Sequence, residues 1–182
     1  MKNLISKYNV QGPRYTSYPT VPYWNTAFTT EDWTKKLLET FKVSNTTEGI
    51  SIYIHLPYCE SLCTFCGCHK HITKRHEVEE PYIDTLLKEW QLYCDLLVDQ
   101  PVIKELHLGG GTPTFFSCTE LERLITGIFR TAVLHKDTNF SFEGHPHNTT
   151  KKHLETLYSL GFTRVSFGVQ DYDKDVQKAI NR

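Results

Sequence analysis

The chain has 182 residues, 39% of them hydrophobic and 23% charged, with a formal net charge of −1. That composition suits one sizeable globular core and excludes collagen-like or strongly disordered classes. The charges are mixed, so no basic patch for nucleic acid or anionic lipid is expected. No apolar run approaches the roughly 18 residues of a membrane span. The N-terminus turns polar before a signal-peptide core could form, so the expected location is cytoplasmic, where thiols stay reduced.

Residues 1–30 carry little regular pattern. Gly12 to Trp24 is rich in Pro, Tyr and Thr, and Pro19 and Pro22 disfavour helix just before them, so an extended arm packed by its aromatics is expected. Thr29 or Thr30 caps a helix carrying Trp33, Leu37, Leu38 and Phe41. Ser44 to Gly49 reads as a polar linker. Ile50, Ile52, Ile54 and Leu56 alternate with Ser51, Tyr53 and His55, a strand period that Pro57 ends. A long helix then runs from about Val78 to Val98 on Tyr82, Ile83, Leu86, Leu87, Trp90, Tyr93 and Leu97, with Pro81 in its first turn.

Ile103 to Leu108 is a second strand, stopped by Gly109-Gly110-Gly111. Ser117 and Glu120 have capping-box spacing ahead of a helix on Leu121, Leu124, Ile125, Ile128 and Phe129. Phe140 to Glu143 is a short third strand. Thr149 or Thr150 opens a helix through Leu154, Leu157 and Tyr158, closed by Gly161 as its C′ residue. Arg164 to Val169 is a fourth strand, and Asp173 to Ile180 a fifth helix. Strand and helix therefore alternate four times from Ile50 with short connections, the pattern of a parallel sheet with helices outside it. The division expected is an arm and helix over 1–48 and the strand-helix units over 49–182. Four strands do not close a barrel and the last helix reaches Asn181-Arg182 uncapped, so the chain is expected to be the N-terminal part of something longer.

Four of the six cysteines fall between positions 59 and 68. Cys59, Cys63 and Cys66 are spaced C-x3-C-x2-C, which lets one tight loop turn three thiolates inward. Three thiolates can hold three irons of a cubane cluster and leave the fourth open for chemistry, as catalytic zinc sites leave one position open. A zinc-stabilised binding module is the alternative, with Cys63, Cys66, Cys68 and His69 or His71 as a Cys3His set. The loop leaves the C-terminal end of a strand, where α/β proteins bind ligands, and that favours the cluster. The glycine run after the second strand lets backbone approach a ligand closely, and Glu143 and Gln170 stand at the ends of later strands. Cys94 and Cys118 read as core or surface thiols. His107 reads as a packed or solvated strand residue, and His55 shares a strand face with Tyr53.

Together these residues resemble the radical S-adenosylmethionine (SAM) superfamily, in which an aromatic just before the last cysteine, here Phe65, is usual. Within it the chain resembles the family of oxygen-independent coproporphyrinogen III oxidases, or coproporphyrinogen dehydrogenases. Pro13-Arg-Tyr-Thr-Ser-Tyr-Pro-Thr20, Tyr53-Ile-His-Leu-Pro-Tyr-Cys59, Gly67-Cys68 and Gly168-Val-Gln-Asp171 carry that likeness across almost the whole chain. It implies a partial (β/α) radical SAM barrel of the α/β class with an extended N-terminal arm. It implies a [4Fe-4S] cluster on Cys59, Cys63 and Cys66, with SAM chelating the open iron. Tyr53, Gly110 and Glu143 match positions around this first SAM, and Phe65, Gly111, Thr112, Gln170 and Arg182 match positions around a second. Cys68 matches a cysteine that is not a ligand. The implied reaction is oxidative decarboxylation of two propionates of coproporphyrinogen III to give protoporphyrinogen IX, begun by a 5′-deoxyadenosyl radical made from SAM. A reduced flavodoxin or ferredoxin would supply the electron to a monomeric enzyme, and Arg14 is a candidate partner for a propionate. The related haem-chaperone branch is the near alternative; it lacks the arm motif and carries Phe where Cys68 stands. One departure is Glu143-Gly-His-Pro146, where the family often reads Glu-x-Asp-Pro.

Overall fold

A computed structural model of the chain describes residues 2–9, 23–25, 27–64 and 66–181. The chain divides into two compact units, Met1–Leu37 and Leu38–Arg182. In the first, Lys2–Tyr8 forms a helix, α1, where the sequence suggested only irregular chain. Most of the arm motif, including Arg14, lies outside the described residues. Helix α2 (Thr30–Ser44) starts where expected. Thr29 Oγ1 accepts the Asp32 N–H at 3.1 Å while Asp32 accepts the Thr29 N–H at 3.1 Å, a reciprocal cap that satisfies two otherwise open donors.

The second unit is built on four parallel strands in spatial order β1 (Ile50–Leu56), β4 (Val102–Gly110), β5 (Val133–Gly144) and β6 (Phe162–Phe167). Between β1 and β4 lie a two-residue parallel ladder of β2 (Tyr58–Cys59) with β3 (His71–Ile72), then helix α3 (Glu79–Leu96). Helices α4 (Cys118–Phe129), α5 (Lys151–Ser159) and α6 (Lys174–Ala179) complete the alternation. Within this sheet each strand lies beside the one before it in the chain, the commonest arrangement of consecutive strands.

Period-two alternation sorts the sheet into two unlike faces. On one, Ile54, Leu56, Ile103, Leu106, Leu108, Phe140 and Phe142 are buried against Ile83 of α3, Leu121, Leu124, Ile125 and Ile128 of α4, and Leu157 of α5. Each fully buried Leu or Ile contributes about 1.5–3 kcal/mol relative to exposure, and truncating one such as Leu124 to Ala would cost about 2–5 kcal/mol through the cavity left behind. The opposite face is polar, which is unusual because parallel strands generally read as continuous apolar runs. That face carries the candidate site.

Several elements differ from expectation for identifiable reasons. The third strand runs Val133–Gly144, not from Phe140, because its exposed first half has no alternating pattern to betray it. The second strand does not stop at the glycines: Gly109 and Gly110 pair with His55 and Leu56, since a parallel ladder needs backbone and not Cβ. The fourth strand lies two residues earlier, at Phe162–Phe167. Ser117 caps α4 by accepting the Glu120 N–H at 3.3 Å, but the reciprocal bond of a capping box comes from elsewhere. Glu79, only 5% exposed, accepts the Ser117 N–H at 2.8 Å, while Glu120 pairs with Arg123. Asn45, inside the presumed polar linker, is 3% exposed and clips the start of β4, accepting the Val102 N–H at 2.8 Å and donating to the Gln100 carbonyl at 3.0 Å.

Candidate functional site

The cysteine loop is closed at its neck by backbone. His71 donates its N–H to the Pro57 carbonyl at 2.8 Å and Thr73 donates to Cys59 at 2.9 Å, so residues 60–70 bulge from the C-terminal edge of β1. On the other side of the same segment, Gly111 donates to Leu56 at 2.9 Å and Thr112 to Tyr58 at 3.0 Å. Cys59 is thus held between two strands of backbone. Farther round, the Cys66 N–H donates to the Cys63 carbonyl at 3.1 Å, closing a tight turn between the two. The tip is tied to the end of α6, where Thr64 donates to the Ile180 carbonyl at 3.1 Å and the Asn181 amide donates to Leu62 at 2.6 Å. Cys59, Cys63 and Cys66 are all half-buried and none is in a disulfide. Phe65 lies outside the described residues.

The glycine run fits against this loop with no room to spare. A Cβ on Gly111 would stand 2.5 Å from the Pro57 carbonyl oxygen and 2.9 Å from Cys59 Sγ. Gly110, at φ +121°, lies against the Leu56 backbone and adopts a conformation that side-chain-bearing residues rarely take. Thr112, 8% exposed, has its hydroxyl 3.3 Å from Cys59 Sγ. Gly109, outside the sequence-based set, faces Tyr53: a Cβ there would meet Tyr53 Cε2 at 2.8 Å.

The polar sheet face supplies the rest. Tyr53, His107 and Ser141 are in register across β1, β4 and β5. The Tyr53 and His107 rings stack with centroids 5.8 Å apart and planes 23° apart. His107 Nδ1 lies 2.8 Å from Ser141 Oγ and its Nε2 lies 3.6 Å from Glu143 Oε1. His107 is therefore a member of the polar row, not the bystander its sequence position suggested. Tyr53 Oη is 3.1 Å from His55 Nδ1, and His55 Nε2 is 2.7 Å from the His69 carbonyl oxygen. A carbonyl only accepts, so neutral His55 donates from Nε2 and its Nδ1 accepts the Tyr53 proton. The Tyr53 oxygen can still accept a hydrogen bond.

The electrostatics are anionic. Burial, then the Glu143 carboxylate and then Cys68 push the Tyr53 phenol above its ordinary pKa. Partial desolvation raises the Cys68 thiol, with further contributions from Cys66, Glu143 and Cys59. Tyr53 and Glu143 of the sheet and Cys59, Cys66 and Cys68 of the loop therefore lie within electrostatic reach of one another. Cys68 itself is exposed, Cys94 Sγ is 3.6 Å from Thr131 Oγ1 on the helix side, and Cys118 is the buried first residue of α4.

Gln170 lies just beyond β6, exposed, at φ +69°. Asp171 donates its N–H across it to the Val169 carbonyl at 2.9 Å, closing a three-residue γ-turn. Such left-handed strain in a residue with a side chain is concentrated at ligand-contacting positions. His145 solves the Glu-Gly-His-Pro departure locally: its Nδ1 accepts the His147 N–H at 3.2 Å, the bond an Asp would make in an Asx turn. Arg182 lies outside the described residues.

Comparison with known proteins fixes the family. The radical SAM superfamily model matches residues 53–182, from Tyr53 through the cysteine loop and every later strand. The chain belongs to the radical SAM superfamily. It is 40% identical over 179 residues to the oxygen-independent coproporphyrinogen III oxidase of Helicobacter pylori, covering 98% of this chain and 39% of that protein. The enzyme of the same name from Pseudomonas aeruginosa is 37% identical over 182 residues, covering 99% of this chain and 39% of that protein. Among solved structures, the radical SAM enzyme coproporphyrinogen III oxidase of Escherichia coli superposes with a TM-score of 0.82 at 32% identity, over 99% of this chain and 39% of that one. The radical SAM chain described here thus spans about two fifths of the length of these relatives. No helix among the described residues is long and apolar enough to cross a membrane.

Proposed function

We propose that this chain is the cluster- and SAM-binding part of an oxygen-independent coproporphyrinogen III oxidase, which decarboxylates coproporphyrinogen III oxidatively to protoporphyrinogen IX. The observation that carries the reading is the packing of Gly111 and Thr112 directly against Cys59, beside a polar sheet face that ends in Glu143. The shared name of relatives that match the chain from end to end supports the substrate.

In this reading Cys59, Cys63 and Cys66 hold a [4Fe-4S] cluster. The donor set fits one: three half-buried thiols on a backbone-closed loop, with a glycine where a Cβ would strike Cys59. A cubane takes one thiolate per iron and spreads its cysteines wider than a single zinc ion does. Among the described residues, no three His, Cys, Asp or Glu side chains, the three loop cysteines included, stand close enough together to hold a single metal ion. Bound together, the cluster and SAM supply the one-electron chemistry that starts hydrogen removal from the substrate.

The chain's own residues bind, orient and exclude water. Tyr53, Gly110 and Glu143 face the first SAM. The Tyr53 oxygen, whose O–H is directed to His55, would accept from the amino group of the ligand, and the Glu143 carboxylate would add a negative field that suits the ligand's sulfonium charge. Gly111, Thr112 and the strained Gln170 would face a second SAM, and the resemblance adds Phe65 and Arg182 to the residues that would hold it. Arg14 in the arm pairs with a substrate propionate. The electron comes from a reduced flavodoxin or ferredoxin, and the enzyme works as a cytoplasmic monomer, with residues 1–48 as the arm-bearing segment and 49–182 as barrel.

The test is anaerobic incubation of the cluster-loaded protein with coproporphyrinogen III, SAM and a low-potential reductant. Release of CO2 with formation of protoporphyrinogen IX is expected. Haem binding without any decarboxylation would contradict the oxidase and favour the chaperone branch.

A further inference from the structure

Resting on the assignment of Tyr53 and Glu143 to the first SAM, we propose that His107 is the positioning residue that holds these two side chains in one binding geometry, and that Ser141 anchors its ring through Nδ1. Tyr53 and Glu143 come from β1 and β5, two strands that do not pair with each other; β4 lies between them. His107, on β4, touches both. Its ring face stacks on Tyr53 at 5.8 Å, and its Nε2 stands 3.6 Å from the Glu143 carboxylate.

The acceptor-only carboxylate assigns the ring proton, and the third contact, to Ser141, holds the other nitrogen. A neutral imidazole has one donor and one acceptor nitrogen, and the group bonded to one fixes the other. The Glu143 carboxylate only accepts, so the proton belongs on Nε2, facing it, and Nδ1, 2.8 Å from the Ser141 hydroxyl, accepts from that hydroxyl. Reversing the tautomer would turn a lone pair toward the carboxylate and repel it. Gly109 completes the arrangement two residues along the same face, leaving the space that the Tyr53 ring fills beside His107. A residue with only a packing role would need the ring and neither nitrogen. The geometry assigns a function to all three.

That division of labour is separable by substitution. His107→Phe keeps a ring to stack on Tyr53 and removes both nitrogens. His107→Gln loses the stack but restores an N–H donor toward Glu143. Ser141→Ala touches neither Tyr53 nor Glu143 and removes only the hydrogen bond to Nδ1 that anchors the ring. The readout is equilibrium binding of radiolabelled SAM to the anaerobically reconstituted full chain, with iron and sulfide content measured alongside to confirm that each variant holds its cluster. Removing the Nε2–H that faces the charged carboxylate is expected to weaken SAM binding about tenfold in His107→Phe. Partial recovery is expected in His107→Gln, and a loss of about threefold in Ser141→Ala, from a neutral bond. Wild-type affinity in His107→Phe with the cluster intact would overturn the inference alone. Failure of the wild-type, cluster-loaded chain to bind SAM would overturn the SAM assignment and this inference together.

Discussion

Gly111 and Gly67 both lie close to cluster cysteines, yet the structure predicts opposite fates for their alanine variants. In Gly111→Ala the new methyl would lie 2.5 Å from the Pro57 oxygen, 2.7 Å from the Pro57 carbonyl carbon and 2.9 Å from Cys59 Sγ. Two of these atoms are backbone, so no rotamer change relieves the clash. The Pro57–Cys59 segment is also bonded on both sides, to His71 and Thr73 and to Gly111 and Thr112, so it moves as a unit and carries Cys59 with it. Overpacking of this kind costs about 1–3 kcal/mol. Gly67, between Cys66 and Cys68, has nothing within 4 Å of the place a Cβ would take and no positive φ. The assay pairs urea unfolding of the metal-free chains with iron and sulfide content after anaerobic reconstitution. Gly111→Ala should be destabilised by that amount and reconstitute poorly, while Gly67→Ala should match wild type in both. Equal cluster content in the two variants would refute the idea that the glycine run shapes the cysteine loop.

Three further outcomes follow from other contacts. Gly109→Ala, whose Cβ would press on Tyr53 at 2.8 Å, should leave iron and sulfide content unchanged but weaken SAM binding about tenfold, measured by equilibrium binding. Glu79→Ala should lower stability by about 3 kcal/mol in urea unfolding, because the buried carboxylate bonds both His76 and the Ser117 N–H that starts α4. Cys68→Ala should retain full cluster content, since one iron must stay open; loss of one iron per chain would make Cys68 a ligand.

How far the sequence could be read depended on whether a feature was local. The alternation of Ile50–Leu56 defined β1 to the residue, and the starts of α5, at Thr149 or Thr150, and of α6, at Asp173, were placed within about two residues. Val133–Asn139 was missed as strand because its exposed residues have no buried face to impose a period. The Tyr58–Cys59 ladder is too short to show one. At the site, C-x3-C-x2-C and the triple glycine were legible as motifs. The placement of His107 was not, since its neighbours are fixed by the register of three strands. Glu79 and Asn45 escaped for the same reason: their partners lie 38 and 57 residues away.

The central claim is that Cys59, Cys63 and Cys66 hold a cubane cluster with one iron open to SAM. Its most direct test is the EPR spectrum of the reduced, anaerobically reconstituted chain with and without SAM, beside iron, sulfide and zinc content. A [4Fe-4S] signal that shifts when SAM is added is predicted, as is loss of the cluster when any one of the three cysteines is replaced by alanine. Stoichiometric zinc with no acid-labile sulfide, or a cluster signal indifferent to SAM, would contradict it.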